Sequence, residues 1–334
     1  MAVIVLAAIT VFAAFVNGAL GYGFSSLTVP VALIFYSNRV LNPALVIVEV
    51  FINIYVLFLN RESIQAVWKR VIPILIGLVP GIVVGSFFLV SLNPSWIKFF
   101  TYAVLLPLIL IQAAGVRRPI RNERLIGPPF GLGLGFLYSV TTVSGPPLAI
   151  LFNNQGFAKS EFRAGLALIR VAESTLTAAS YYYLGFYSAT SQGILTVIIP
   201  TILVGIPLGA YFIRRLNAET FRRICMSFDA WVVGFGLSRV LIELKLLQGP
   251  WAYGVMAAAI LVDIYLLYVF FSKRETPSPN APLTIENRTG SRDARGLHPA
   301  SPARDPFGPM GTVLGYLFAI LGVAVLVYAV RLLP

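Results

Sequence analysis

Two ionisable residues stand in the middle of long apolar runs, Glu49 in PALVIVEVFINIYVLFL and Arg170 in FRAGLALIRVAESTL. Charges in such surroundings are costly and usually functional. A guanidinium could hold an anion through its planar fork of N–H donors. A carboxyl could carry a proton or pair with that cation. Glu173 lies one helical turn beyond Arg170 and could pair with it locally. The functional reading gives Arg170 the substrate anion, and makes Glu49 a proton carrier or the partner of Arg170. The competing reading is a structural salt bridge joining the two runs. Asp229 and Asp263 also lie inside apolar runs, but neither has a counterpart of like chemistry in the repeat described below. They are read as structural.

Small and polar residues interrupt two other apolar runs. The first interruption is GALGYGFSS, Gly18 to Ser26, and the second is TTVSGPP, Thr141 to Pro147. Glycines open backbone conformations closed to other residues. Ser25 and Ser26 are expected to cap a helix that restarts there, and Pro146 suits the first turn of a new helix. A helix from Pro146 to Asn154 would be about 13 Å long, which reaches the bilayer midplane and stops. Two half-helix N-termini meeting there would carry partial positive charge and free N–H groups. The candidate anion site comprises Asn17, Tyr22, Ser25, Ser26, Thr142, Ser144, Gly145 and Arg170, with Glu49 and Glu173 as coupling or ion-pair residues. Simple kinks in ordinary spanning helices are the alternative.

The elements that must position these groups are membrane helices. Hydrophobic residues make up 58% of the chain and charged residues 11%, against about 45–50% and about 25% in soluble domains. The apolar residues come in blocks of about twenty, the length that crosses roughly 30 Å of hydrocarbon. The alternation of an outer-membrane barrel strand is absent. The net charge of +12 does not point to nucleic acid, because the basic residues sit in short loops between apolar blocks. One cysteine, Cys225, excludes an intrachain disulfide. The lone His298 has no ligand cluster around it, and no catalytic residue, metal site or cofactor is expected. The N-terminus is apolar from the start and is read as a first membrane helix, not a cleaved leader.

The chain also repeats. Phe15 set over Phe136 aligns the two interrupted segments, and the same shift sets Glu49 over Arg170. With three residues inserted, Gly81 and Gly85 fall over Gly205 and Gly209. Each half reads as a broken segment followed by three helices. If every block crossed once, Lys and Arg would divide almost evenly between the two sides. If the second broken segment returns to its own side, they fall strongly on one side, as the positive-inside bias requires. Each half is then a hairpin plus three crossings, so the halves are inverted. The expected fold is an all-α polytopic membrane protein of two inverted-topology repeats, residues 1–116 and 125–241. An additional transmembrane helix at 250–272, a disordered cytoplasmic loop at 273–309 and a C-terminal transmembrane helix at 310–334 follow. Both termini are expected in the periplasm.

The segments NGALGYGFSSLTVP and SVTTVSGPPLAIL, with the helices ending GIVVGSFFLVSLN and GIPLGAYFIRRLN, resemble the sulfite exporter TauE/SafE family of membrane permeases. The likeness spans both halves, about the first 240 residues. It implies transport of sulfur-containing anions, sulfite or organosulfonate, across the bacterial inner (plasma) membrane. Where the family usually reads GxGGG and GxGGPP, this chain reads GYGFSS and TVSGPP. A secondary transporter working by alternating access is the expected function. An anion channel and a permease for another small anion are the alternatives; a membrane enzyme lacks the residues, and a scaffold would leave the paired breaks unexplained. The expected partners are a small anionic substrate, the lipid bilayer and a coupling proton. Oligomeric state is left open, with a homodimer among the options.

Overall fold

In the computed structural model the described residues are 2–114, 123–154, 159–212, 218–247 and 249–275. Among them there is no strand. Eleven α-helices run in chain order: α1 Ala2–Leu20, α2 Phe24–Ala32, α3 Asn38–Leu59, α4 Ile64–Ser91, α5 Pro94–Ala113, α6 Glu123–Thr141, α7 Gly145–Asn154, α8 Lys159–Tyr183, α9 Ala189–Phe212, α10 Ala218–Glu243 and α11 Gly254–Glu275. Seven helical segments among the described residues are long and apolar enough to cross a membrane, and the protein is a multi-pass membrane protein. α8, of 25 residues, is not one of them. Its inward face carries Arg170, Glu173, Ser174 and Thr177, all buried, and these lower its apolar character without exposing charge to lipid. The expected final helix and nearly all of the polar 273–309 stretch lie outside the described residues.

Both interruptions are true breaks. Between α1 and α2, Gly21 and Gly23 take φ of 83° and 108°. Between α6 and α7, Thr142 takes φ of 56°, and in the repeat Thr142 is the counterpart of Gly21. A left-handed conformation is routine for glycine and strained for a β-branched residue. Ser25 and Ser26 do not cap α2, contrary to expectation. The N-cap is Gly23, with no side-chain cap bond, because the helix restarts at Phe24, ahead of both serines, and turns Ser25 toward Glu49 and Ser26 toward Asp229.

At each break the chain doubles back. α1 runs antiparallel to α10, with Phe12 against Phe228 and Phe15 against Phe221 at centroid distances of 5.7 and 5.9 Å. α2 then runs along α10 in the opposite sense, from Ser26 facing Asp229 to Leu33 and Ile34 beside Arg239 and Val240. In the second half, α6 brings the Ser139 carbonyl to the Tyr181 hydroxyl in the last turn of α8. α7 starts at Glu173 in mid-α8 and descends to Phe162 in its first turn, where Phe152 meets it at 6.1 Å.

The helices of the two halves interleave. α4 packs along α6, and its counterpart α9 packs along α1. A methyl on Gly81 would lie 2.2 Å from the Leu132 carbonyl oxygen, and one on Gly209 would lie 1.9 Å from that of Phe15. The pairs match by repeat position as well. Gly85 meets Phe136 while its counterpart Gly209 meets Phe15, and Gly81 meets Leu132 while its counterpart Gly205 meets Val11. Small residues at these points let the backbones touch, and such contact is a main source of helix adhesion where lipid removes the hydrophobic drive.

Polar caps follow the same exchange. Asn42 Nδ2 in α3 donates to the Val140 carbonyl at the end of α6, at 2.7 Å. Arg163 Nη2 in α8, at the counterpart position, donates to the Ala19 carbonyl at the end of α1, at 3.5 Å. Each cap satisfies a carbonyl that the helix break leaves without its intrahelical donor. Outside the repeats, α11 is held to α10 by the buried pair Arg223–Asp263 at 2.9 Å, with Trp231 Nε1 on the second carboxylate oxygen at 3.1 Å.

Candidate functional site

Glu49 sits near the middle of α3 and Arg170 near the middle of α8, and both side chains are buried. Arg170 Nη2 lies 2.6 Å from Glu49 Oε1. The same oxygen accepts from Ser25 Oγ in the first turn of α2 at 2.6 Å, and Oε2 accepts from the Tyr138 hydroxyl in α6 at 2.6 Å. Glu49 is therefore bound by three donors from three helices, and it is fully buried.

Glu173 is held differently. The Ser144 hydroxyl, at the N-cap of α7, donates to its Oε1. Arg170 Nε stands 3.9 Å from that oxygen, and Oε2 has no hydrogen-bond partner among the described residues. Arg170 Nε and Nη1 likewise have none. Leaving a buried charged donor unpaired is expensive, so the guanidinium retains binding capacity on the edge that Glu49 does not use.

The two breaks approach one another. The Tyr22 ring comes within 3.6 Å of the position a Gly145 Cβ would take. The first turn of each half-helix is thus met by a carboxylate of the protein itself, Ser25 by Glu49 and Ser144 by Glu173. Pro146 and Pro147 remove two N–H donors from the start of α7, which leaves Gly145 N–H, the Ser144 hydroxyl and the helix dipole to act there.

Of the residues expected at the site, Ser25, Ser144, Arg170, Glu49 and Glu173 come together, with Gly145 adjoining Ser144. Asn17 is buried, with both amide atoms unpartnered among the described residues. Ser26 turns away, donating to the Gly23 carbonyl at 3.2 Å and facing Asp229. Tyr22 packs against Phe162 and points its hydroxyl toward Arg222 and Gln112. Thr142 spends its hydroxyl on the Thr141 carbonyl and shapes the turn. Tyr138 was not expected at the site. It is the repeat counterpart of Asn17, so setting Phe15 over Phe136 places it opposite a residue that was expected there.

A family model described as Sulfite exporter TauE/SafE matches residues 6–236. A relative from Cupriavidus necator, described as a probable sulfite/organosulfonate exporter TauE, is 28% identical over 184 residues, which is 52% of this chain and 68% of the relative. No solved structure matches the chain. With a match that runs from α1 into α10 and takes in both breaks and the Glu49–Arg170 pair, the chain belongs to the sulfite exporter TauE/SafE family.

Proposed function

We propose that this protein is a secondary transporter that moves a small sulfur-containing anion, sulfite or an organosulfonate, across the bacterial inner membrane by alternating access between two inverted halves. The observation that carries the reading is the buried Arg170 guanidinium, which has donors to spare where the half-helix breaks converge. A fixed cation with two open N–H positions, next to the Ser25 and Ser144 hydroxyls, suits a tetrahedral or pyramidal oxyanion.

Helix directions support the inversion. α3 and α8 are repeat counterparts. Asn42, near the start of α3, reaches Val140, while the adjacent Ser139 meets Tyr181 at the end of α8. The two helices therefore run in opposite senses. Tyr138 reaches Glu49, so its counterpart Asn17 would face Arg170 under the same two-fold relation and add an amide donor to the anion. The positive-inside bias assigns the basic loops to the cytoplasm, and a hairpin in each half then carries both termini to the periplasm.

The test is sulfite efflux from proteoliposomes. Wild-type protein is expected to release sulfite at a carrier rate, and Arg170→Ala to abolish release. An Arg170→Ala protein that transports at the wild-type rate would overturn the assignment. A single-channel conductance in planar bilayers would replace the carrier with a channel.

A further inference from the structure

The buried charges of the site do not balance. Glu49 and Glu173 supply two carboxylates against the single guanidinium of Arg170, so with all three ionised the trio carries one excess negative charge. An additional anion entering that volume would meet net repulsion in a medium of low dielectric. We infer that Glu173 is the proton-coupling residue of the transport site. A proton taken up by its carboxylate neutralises the acid that occupies the Ser144 hydroxyl, and frees that hydroxyl and the outer edge of Arg170 for a monovalent oxyanion. This rests on the anion reading above and assigns the proton to Glu173 in place of Glu49.

The geometry separates the two acids. Glu49 receives Arg170 Nη2, Ser25 Oγ and Tyr138 Oη, each at 2.6 Å, on both of its oxygens. Protonating it would set a hydroxyl against one of these donors and leave the nearest Arg170 nitrogen without its counter-ion. Glu173 has one hydroxyl donor, a guanidinium nitrogen at 3.9 Å and one oxygen with no partner among the described residues. A proton can sit on that oxygen and displace nothing. The charged and titratable groups facing Glu173 are Arg170 on its own helix, Glu49 on α3 and Tyr138 on α6, with the Ser144 hydroxyl on α7. α4 also packs along α8, but its charged residues, Lys69 and Arg70, lie in its first two turns.

The charge balance of the cycle follows. Empty, the trio is at minus one. Loaded with one proton and one monovalent anion it is again at minus one. Proton and anion therefore enter and leave together, and the site crosses its two orientations with the same charge in both. The proton returns to water when the anion departs and Glu173 re-forms its contact with Ser144.

Methanesulfonate is a suitable probe, because it stays a monoanion across the working pH range and any pH dependence of its binding belongs to the protein. With the full chain in detergent, its affinity is expected to rise as pH falls, by up to about tenfold per unit where Glu173 is ionised in the free protein. Binding to an unbuffered sample is expected to take up about one proton per anion bound. Glu173→Gln keeps the shape and removes the charge, so it should bind at the wild-type low-pH affinity at every pH and take up no proton. Wild-type binding with no pH dependence and no proton uptake would overturn the inference and leave the anion site standing. A pH slope or a proton uptake that survives in Glu173→Gln would also overturn it. Absence of methanesulfonate binding at any pH would overturn both the inference and the anion reading. Absence of proton uptake by the wild-type protein overturns the inference even if Glu173→Gln fails to fold.

Discussion

Glu49 and Arg170 meet at 2.6 Å and are 121 residues apart, the same shift that superimposes the two halves of the sequence. The ion pair joins α3 to α8, and the two half-helices α2 and α7 converge beside it, Ser25 on Glu49 and Ser144 on Glu173.

Arg170 supports both fold and binding. Removing one partner of a buried pair leaves the other uncompensated, at a cost of about 3–5 kcal/mol. Arg170→Ala is expected to lower the melting temperature in detergent and to abolish methanesulfonate binding. Arg170→Lys should regain part of the stability but little binding, because an ammonium cannot serve Glu49 and an oxyanion with one planar fork. Thermal melts and binding isotherms on the same samples separate the two effects.

The close helix contacts make a sharp comparison among glycines. A methyl on Gly209 would stand 1.9 Å from the Phe15 carbonyl oxygen, whereas one on Gly133 or Gly193 would meet nothing within 4 Å. Gly209→Ala must separate α1 from α9 and should reduce the yield of folded, monodisperse protein on size exclusion. Gly133→Ala and Gly193→Ala should leave it unchanged or slightly improved, since alanine is the better helix former by about 1 kcal/mol.

Thr142 holds a left-handed φ of 56° where the other half uses Gly21. Thr142→Gly is expected to relieve strain of order 1 kcal/mol and to raise the melting temperature. Gly21→Thr should lower it by at least as much. A melting temperature that falls in Thr142→Gly would show that the Thr142 side chain stabilises the turn by more than its backbone strains it.

The Arg223–Asp263 pair fastens α11, a helix otherwise mostly turned outward. Asp263→Ala leaves Arg223 buried without its carboxylate and strips Trp231 of its acceptor. Limited proteolysis is expected to cut the variant near residues 244–253 faster than the wild type. Methanesulfonate affinity should hold, because neither residue approaches Arg170.

Much of this was legible in the residues. The apolar blocks, the two interruptions and the shift that sets Glu49 over Arg170 follow from composition and order. These report what the chain can place in lipid, and where glycine, proline and serine prevent a continuous helix. The partners of each polar group were not legible. Ser25 and Ser26 are adjacent and chemically alike, yet one faces Glu49 and the other Asp229, because successive residues on a helix point about 100° apart and different neighbours wait on each side. Tyr22 was expected at the site by its neighbourhood in sequence; it lies in the non-helical turn between α1 and α2, with its ring against Phe162 and Gly145 and its hydroxyl directed toward Arg222 and Gln112. Tyr138 entered from another helix. The sequence by itself determined a membrane protein of two related halves with a charge at the centre of each. Only the tertiary structure decided that the two charges face one another, that Glu49 is saturated, and that Glu173 keeps an open oxygen. Hydrogen-bond saturation depends on distances between segments far apart in the chain, and no local pattern encodes those.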